Sequence, residues 1–245
     1  CYSQFLEREF DFRRLLLTQY QPKIRKEILT VMNTPMKEAK GLVGKKRFWN
    51  YSDYFRWCIF LCFGLVLFGL GEGLLIVSFA GASPWSVLAQ GIALNINLSV
   101  GIITILVSVG VLIFWMPLNQ KPGIGTILNA IIIGLMIDIC IKFVPTPENY
   151  ISQILLAIIA VLTVGLGGGI YLVANLGAGP RDGLMVGLQK KTNLPIATVR
   201  AFLEITVMSI GWYLGGTVGV GTLLFAFGIG PSVALSLFLV GKLFD

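Results

Sequence analysis

The chain has 245 residues, of which 56% are hydrophobic and 13% are charged, and its formal net charge is +7. A composition this apolar excludes an ordinary soluble domain and predicts an integral membrane protein that contacts the lipid bilayer. The sequence has no histidine and no Ser/His/Asp, metal-ligand or nucleotide-binding pattern, so we expect no enzyme activity, cofactor or metal. The cysteines show no metal-site spacing and are predicted to be buried apolar thiols; they are Cys1, Cys58, Cys62 and Cys140.

Positive charge is concentrated at the start of the chain. Residues 1–58 carry 12 Lys/Arg and 6 Asp/Glu, whereas residues 59–245 carry 7 and 6. A basic segment before the first span is typical of the cytosolic side, where anionic lipid attracts each basic side chain by about 1 kcal/mol. The alternation of charged and apolar residues over 1–50 predicts one or two amphipathic helices at the membrane face. No nucleic-acid-binding motif is present, so we expect no nucleic acid partner.

Six apolar segments are long enough to cross a bilayer, which requires about 20 residues. They are 57–79, 99–117, 124–143, 152–173, 197–214 and 221–241. Two shorter segments, 84–96 and 180–193, begin at proline and reach only about 20 Å, so we predict re-entrant or interfacial half-helices. A cytosolic N-terminus with six spans places most loop cations inside, as the positive-inside rule requires.

The chain also contains an internal repeat. Residues 60–145 align with residues 156–241 at a constant offset of 96 without a gap. The offset superimposes glycines and prolines: Gly69, Gly71 and Gly73 fall on Gly165, Gly167 and Gly169, and Gly81-Ala82-Ser83-Pro84 falls on Gly177-Ala178-Gly179-Pro180. Because three spans per copy is an odd number, the second copy must enter the membrane from the opposite side. We therefore predict an all-α fold with a 3+3 inverted repeat, divided into an extension (1–50), a first copy (51–146) and a second copy (147–245).

The second copy carries a family resemblance. It reads Asn175-Leu176-Gly177-Ala178-Gly179-Pro180-Arg181-Asp182-Gly183, then Thr198-Val199-Arg200 and Gly219-Val220-Gly221-Thr222. With these motifs the chain resembles the YczE/YitT-like bacterial membrane proteins, closest to the YczE branch, over about residues 55–245. The resemblance implies a fold and a place in the bacterial cytoplasmic (inner) membrane, but no activity. The family's first copy reads Gly-x-Gly-Pro-Trp-Asp, whereas Ser86 replaces the acidic residue here.

Charged residues within the spans are the first functional candidates, because each costs about 2.5–3.5 kcal/mol to insert and usually faces a cavity or a partner. Arg200 and Glu204 are four residues apart on the fifth predicted span, where they form a plain ion pair or serve an anion and a titrating carboxylate. Glu72 is either a proton or cation carrier, since desolvation disfavours its charged form, or an interfacial residue. Asp138 is expected at the interface. The glycines at 69–73 and 165–169 favour close helix packing over a phosphate loop.

The two half-helices supply the second set of candidates. Arg181 and Asp182 are explained by capping and an interfacial position or, if both half-helices aim their N-termini at a shared midplane, by an anion site. The candidate substrate-binding residues are Asn175, Arg181, Asp182, Arg200, Glu204, Glu72, Ser83 and Ser86, and the candidate helix breaks are Gly81, Pro84, Gly177, Gly179 and Pro180.

Two functions fit this sequence. The first is a secondary transporter that moves a small solute, for example an organic anion, by alternating access around the breaks at 79–86 and 175–183. The second is a non-transporting scaffold or accessory subunit that recruits a protein partner through residues 1–50. A transporter requires a polar cavity between the copies, reached by Arg200, Glu204 or Glu72, whereas a scaffold fills that space with side chains.

Overall fold

The computed structural model describes residues 51–174 and 176–244, with side chains over 55–174 and 176–240. Within that part the chain forms α-helices and one 3-10 turn and no strand, so the all-helical prediction is confirmed. The amphipathic helices predicted within 1–50 and the candidate Asn175 lie outside the described residues.

Within residues 51–244, eight helices follow one another through short connections. They are α1 (Tyr51–Val77), α2 (Pro84–Ile96), α3 (Val100–Trp115), α4 (Ile124–Phe143), α5 (Tyr150–Ala174), α6 (Pro180–Thr192), α7 (Ile196–Tyr213) and α8 (Val220–Phe244), with the 3-10 turn Met116–Leu118 after α3. Five of these are long and apolar enough to cross a membrane, namely α1, α3, α4, α5 and α8. The remaining predicted span is present as α7, but Arg200 and Glu204 lower its hydropathy and it is not among the five.

Both helix breaks, at 79–86 and 175–183, use glycine and proline in the same way. Gly81 has φ +119° and Gly177 has φ +137°, a left-handed region that favours glycine. Proline then opens each 13-residue short helix at its first turn, where the missing N–H costs nothing.

Each break is docked on the other copy. The N–H of Gly221 donates to the carbonyl of Ala80 (2.7 Å), and the N–H of Gly125 donates to the carbonyl of Leu176 (3.1 Å). The two bonds are related by the offset of 96. The short helices also pack on the opposite copy: α2 packs on α7, and α6 packs on α3. The short helix of each copy is therefore held by the other copy.

The centre of the molecule is the contact between α1 and α5. A Cβ atom on Gly64 would meet Gly167 and Tyr171, and one on Gly71 would meet Ala160 and Val164. Residue numbers fall along α5 as they rise along α1, so these two helices, which occupy equivalent places in the repeat, run antiparallel.

Glycines also set the packing within each copy. A Cβ atom added to any of four glycines of α1 and α5 would collide with a residue of a neighbouring helix. The pairs are Gly69 with Met136, Gly73 with Cys140, Gly165 with Ser232 and Gly169 with Ser236. Small residues let helix backbones approach closely enough to pack in a membrane. The geometry confirms the close-packing interpretation of the two glycine series.

The outer surface is apolar, with exposed side chains such as Phe55, Phe63, Phe114 and Phe227. A surface of this kind fits lipid contact, and the backbone groups of its helices bond within the helices, as hydrocarbon requires. Among the described cysteines only Cys140 is buried; Cys58 and Cys62 are half-buried on α1, so the buried-thiol prediction is wrong for those two.

The α1–α5 contact makes a prediction about stability. A Cβ atom at Gly71 would lie 2.6 Å from the backbone nitrogen of Val164, so we expect Gly71→Ala to lower the free energy of unfolding by about 1–3 kcal/mol. Nothing lies within 4 Å of a Cβ atom at Gly110 of α3, so Gly110→Ala should be neutral or stabilising by up to about 1 kcal/mol. Thermal unfolding of both variants in detergent tests this, and equal melting temperatures would contradict the packing argument.

Candidate functional site

A cavity of about 270 Å³ lies where the two copies meet, and all eight helices contribute to its wall. Seven lining positions of the first copy are matched by lining positions 96 residues later: Glu72 and Gly168, Ser83 and Gly179, Trp85 and Arg181, Thr104 and Arg200, Ser108 and Glu204, Asn129 and Phe225, Ile133 and Ile229. The cavity is thus built from equivalent backbone positions, which carry different side chains in six of the seven pairs.

Glu72 of α1 lies fully buried in this wall. Its Oε2 accepts two hydrogen bonds of 2.6 Å, from the hydroxyls of Ser83 and Ser86. Ser83 is the N-cap of α2 and Ser86 lies in its first turn, so the carboxylate sits at the positive end of that helix. The chain's own carboxylate therefore fills the N-terminal end of α2, where a free anion was one of the expectations.

The second oxygen of Glu72 is less well held. Its Oε1 is buried without a hydrogen-bond partner among the described residues, and Arg181 Nη1 lies 3.9 Å away. The Arg181 guanidinium lies 5.3 Å from the centre of the Trp85 ring, which is a cation–π contact. Within the described part of the chain Arg181 donates no hydrogen bond, so its donors remain available in the cavity.

Two aromatic residues fix the first turn of α6, which carries Arg181. The hydroxyl of Tyr171 on α5 donates to Asp182 Oδ2 at 2.6 Å. The indole Nε1 of Trp115, at the end of α3, donates to the carbonyl of Pro180 at 2.9 Å. A Cβ atom on Gly183 would overlap that indole ring, so glycine lets the tryptophan lie against the helix.

Arg200 and Glu204 of α7 form the ion pair that was one of their alternatives, with 2.7 Å between Arg200 Nε and Glu204 Oε1. Both residues also line the cavity, so pairing and cavity placement coexist. The Arg200 side chain is 46% exposed, and only its Nε is engaged. Its terminal nitrogens can bind a ligand while the pair stays intact.

Exposure differs sharply between equivalent positions of the two copies. Three polar residues of the first copy are buried: Ser86, Thr104 and Ser108. Of their partners 96 residues later, Asp182 and Arg200 are exposed and Glu204 is partly exposed, whereas Ser83 and its partner Gly179 are both buried. The cavity is therefore closed beside the break at 79–86 and open beside the break at 175–183.

Asp138 of α4 explains part of this difference, because it joins α3 to α4. Its Oδ2 accepts from the hydroxyl of Ser99 (2.6 Å), and its Oδ1 accepts from the N–H of Gly101 (2.7 Å). The equivalent positions in the second copy hold Pro195 and Ala234, which cannot form these bonds. Accordingly α3 packs on α4, whereas α7 and α8 make almost no contact over the described residues.

The cavity brings together most of the residues that the sequence singled out. Glu72, Ser83, Arg181, Asp182, Arg200 and Glu204 line it, and Ser86 reaches it through Glu72. Sequence reasoning missed Trp85, Thr104, Ser108, Asn129 and Tyr171. The offset of 96 identifies Thr104 and Ser108 as the partners of Arg200 and Glu204, although neither is among the predicted site residues, and no sequence signal marks Tyr171.

No group of three or more metal-ligating side chains occurs among the described residues.

No solved structure matches the chain. Sequence comparison does find relatives. An uncharacterized protein of Haemophilus influenzae is 43% identical over 183 residues, which cover 75% of this chain and 84% of that protein. The uncharacterized membrane protein YczE of Bacillus subtilis is 33% identical over 189 residues, or 77% of this chain and 85% of YczE.

A third relative, the uncharacterized protein YyaS of Bacillus subtilis, is 30% identical over 166 residues, or 66% of this chain and 82% of YyaS. A model of a protein family of unknown function, DUF6198, matches residues 55–237. The YczE-like resemblance is thereby confirmed, and a membrane location agrees with the name of YczE and with the five apolar helices. The chain belongs to the DUF6198 family of membrane proteins of unknown function.

Proposed function

We propose that this protein is a secondary transporter that moves a small solute through the central cavity by alternating access. The one-sided cavity carries the proposal: at three pairs of polar positions related by the offset of 96, the residue of the first copy is buried and that of the second copy is exposed or partly exposed. In inverted-repeat transporters the two copies exchange conformations around a fixed central site. The exchange here would close the open side beside 175–183 and open the closed side beside 79–86.

Three observations support an inverted repeat of three spans per copy. The equivalent helices α1 and α5 run antiparallel, the breaks dock on opposite copies, and the short helices are exchanged. We take α7 as the sixth span. Its charged residues, Arg200 and Glu204, face the cavity instead of lipid, which reconciles a membrane position with its lower hydropathy.

The polarity of the cavity favours transport over a purely structural role. Five charged side chains line it, namely Glu72, Arg181, Asp182, Arg200 and Glu204. Charges at this depth cost several kcal/mol and are retained mainly at pathways and binding sites. The scaffold alternative depends on residues 1–50, which lie outside the described part, and it stays a prediction.

The positive-inside pattern sets the direction in the proposal. With a cytosolic N-terminus in the bacterial inner membrane, the break at 175–183 faces the cytosol. The conformation described above is then the inward-open state. In the outward-open state α7 would close on α8, and α3 would separate from α4.

A matched pair of alanines tests alternating access. Ala82 is 1% exposed in the first break, and Ala178, its partner 96 residues later, is exposed in the second. In a variant without native cysteines we expect Ala178→Cys to react quickly with an impermeant maleimide from one face of the membrane. Ala82→Cys should react slowly and only from the opposite face, because its site opens in the less populated state.

Labelling of both cysteines from the same face would overturn the inverted repeat. A complete lack of labelling at Ala82→Cys, with normal labelling at Ala178→Cys, would favour a static scaffold. The parent without added cysteines provides the background for both measurements.

The two hydrogen bonds that Asp138 accepts from Ser99 and Gly101, here called the Asp138 clamp, yield a second prediction. We expect Asp138→Ala to remove both hydrogen bonds that hold α3 on α4 and to favour the state in which Ala82 is accessible. A hydrogen bond to a charged group contributes about 1.5–3 kcal/mol, so the labelling rate at Ala82→Cys should rise by about tenfold or more.

Ser99→Ala removes one of the two bonds, together with the N-cap bond that the Ser99 hydroxyl accepts from the N–H of Ile102, and should give a smaller rise. An unchanged rate at Ala82→Cys in Asp138→Ala would show that the clamp does not govern the closed side.

A further inference from the structure

We infer that the cavity binds a small monovalent carboxylate together with one proton, and that Glu72 takes the proton. This inference rests on the proposed function, since it names the solute class and the coupling ion of the same cavity. It follows from three properties of the wall: its free hydrogen-bond donors, its charge balance and the unequal support of its carboxylates.

The free hydrogen-bonding groups of the wall are mainly donors. Arg181 donates no hydrogen bond to a described residue, Arg200 uses only its Nε, and the buried Trp85 Nε1 has no partner in the described chain. Guanidinium groups bind carboxylates through two parallel hydrogen bonds, which makes them selective for planar anions. A volume of about 270 Å³ restricts the ligand to a small one.

The charge balance opposes an anion unless a proton accompanies it. With every group ionised, the carboxylates of Glu72, Asp182 and Glu204 outnumber the guanidiniums of Arg181 and Arg200 by one. An anion would add a second negative charge in a region where screening is weak. A proton on one carboxylate cancels that addition.

Of the three carboxylates, Glu72 is the one whose protonation makes a guanidinium available to an anion. Glu204 is bonded directly to Arg200 at 2.7 Å, and Asp182 is exposed and bonded to Tyr171. Glu72 is fully buried, and its Oε1 has only Arg181 nearby, at 3.9 Å. A proton on this oxygen removes the counter-charge of Arg181 and leaves that guanidinium to the incoming carboxylate.

Four helices, α2, α5, α6 and α7, supply polar and charged groups around Glu72. The short helix α2 supplies the hydroxyls of Ser83 and Ser86 and the indole of Trp85, and α5 supplies the phenol of Tyr171. The charged groups come from α6 and α7, which supply Arg181, Asp182, Arg200 and Glu204. The cavity-lining residues of α3, α4 and α8 carry no charge.

Proton and anion then strengthen each other's binding by the same factor, as linkage requires. The proton enters from water on the open side, resides on Glu72 Oε1 and leaves on the other side with the anion. The pair carries no net charge, so uptake of a monocarboxylate should follow the pH gradient and not the membrane potential.

Calorimetry of the full chain in lipid nanodiscs tests the inference. Acetate, lactate and benzoate are titrated in two buffers that differ in ionisation enthalpy, and acetamide, lactamide and benzamide serve as matched neutral controls. We expect at least one carboxylate to bind and its amide not to bind, with about one proton taken up per anion above neutral pH. The affinity should fall by up to about tenfold per pH unit as pH rises.

Variants then assign the proton. In Glu72→Gln the neutral side chain mimics the protonated state, so the carboxylate should still bind, without proton uptake and without pH dependence. Asp182→Asn and Glu204→Gln should retain proton uptake even where affinity changes. Arg181→Gln should weaken carboxylate binding by about tenfold or more, as loss of a charged hydrogen-bonding partner does.

Several results would overturn the inference while leaving transport to the cysteine-labelling test. They are equal binding of the amides, carboxylate binding without proton uptake by the parent, absence of carboxylate binding by the parent, and proton uptake that persists in Glu72→Gln. The proton count of the parent needs no variant, so a poorly folded Glu72→Gln would not block the test. Labelling of Ala82→Cys and Ala178→Cys from opposite faces, with no carboxylate binding, would leave a transporter of another solute.

Discussion

The structure depends on one constraint: the backbone groups freed at the two helix breaks need hydrogen-bond partners where water is scarce. Each break finds them in the opposite copy, through Gly221 to Ala80 and through Gly125 to Leu176. Only glycine allows the backbones to approach this closely, as the contacts of Gly81 with Gly219 show. These bonds join the two copies at both breaks. The cavity between them is a consequence of this exchange.

The cavity has symmetric positions and asymmetric chemistry. The offset of 96 relates Thr104 to Arg200 and Ser108 to Glu204, so neutral hydroxyls on one side face an ion pair on the other. The hydroxyls are buried where α3 packs on α4, whereas the ion pair lies where α7 stands away from α8. If the two copies had identical side chains, closing the cavity on one side would be about as stable as closing it on the other. Asp138, present in one copy only, favours closure of one side over the other.

The sequence predicted much of the architecture but little of the detail of the site. The offset, the glycine series and the prolines at 84 and 180 located the breaks, because these residues act through local backbone geometry. The burial of Glu72 and its bonds to Ser83 and Ser86 required knowledge of how α2 folds back on α1. The same holds for the bond from Tyr171 to Asp182, which joins two helices across a break. The open side could not be read from sequence, since it depends on distances between helices of different copies.

In both copies a hydrogen bond from a hydroxyl to a carboxylate joins the short helix to the span before it, but the helix that donates differs between the copies. In the first copy the span supplies the carboxylate of Glu72 and the short helix supplies two hydroxyls. In the second copy the span supplies the hydroxyl of Tyr171 and the short helix supplies the carboxylate of Asp182, again at 2.6 Å. Each short helix is thus bonded to the span before it and also packs on the opposite copy. In the proposed mechanism, motion between the two states changes the contacts of α3 with α4 and of α7 with α8. These are the contacts that already differ between the copies. In the proposed mechanism the carboxylates of Glu72 and Asp182 link the short helices to the spans, and Glu72, whose Oε1 has no hydrogen-bond partner among the described residues, also carries the proton.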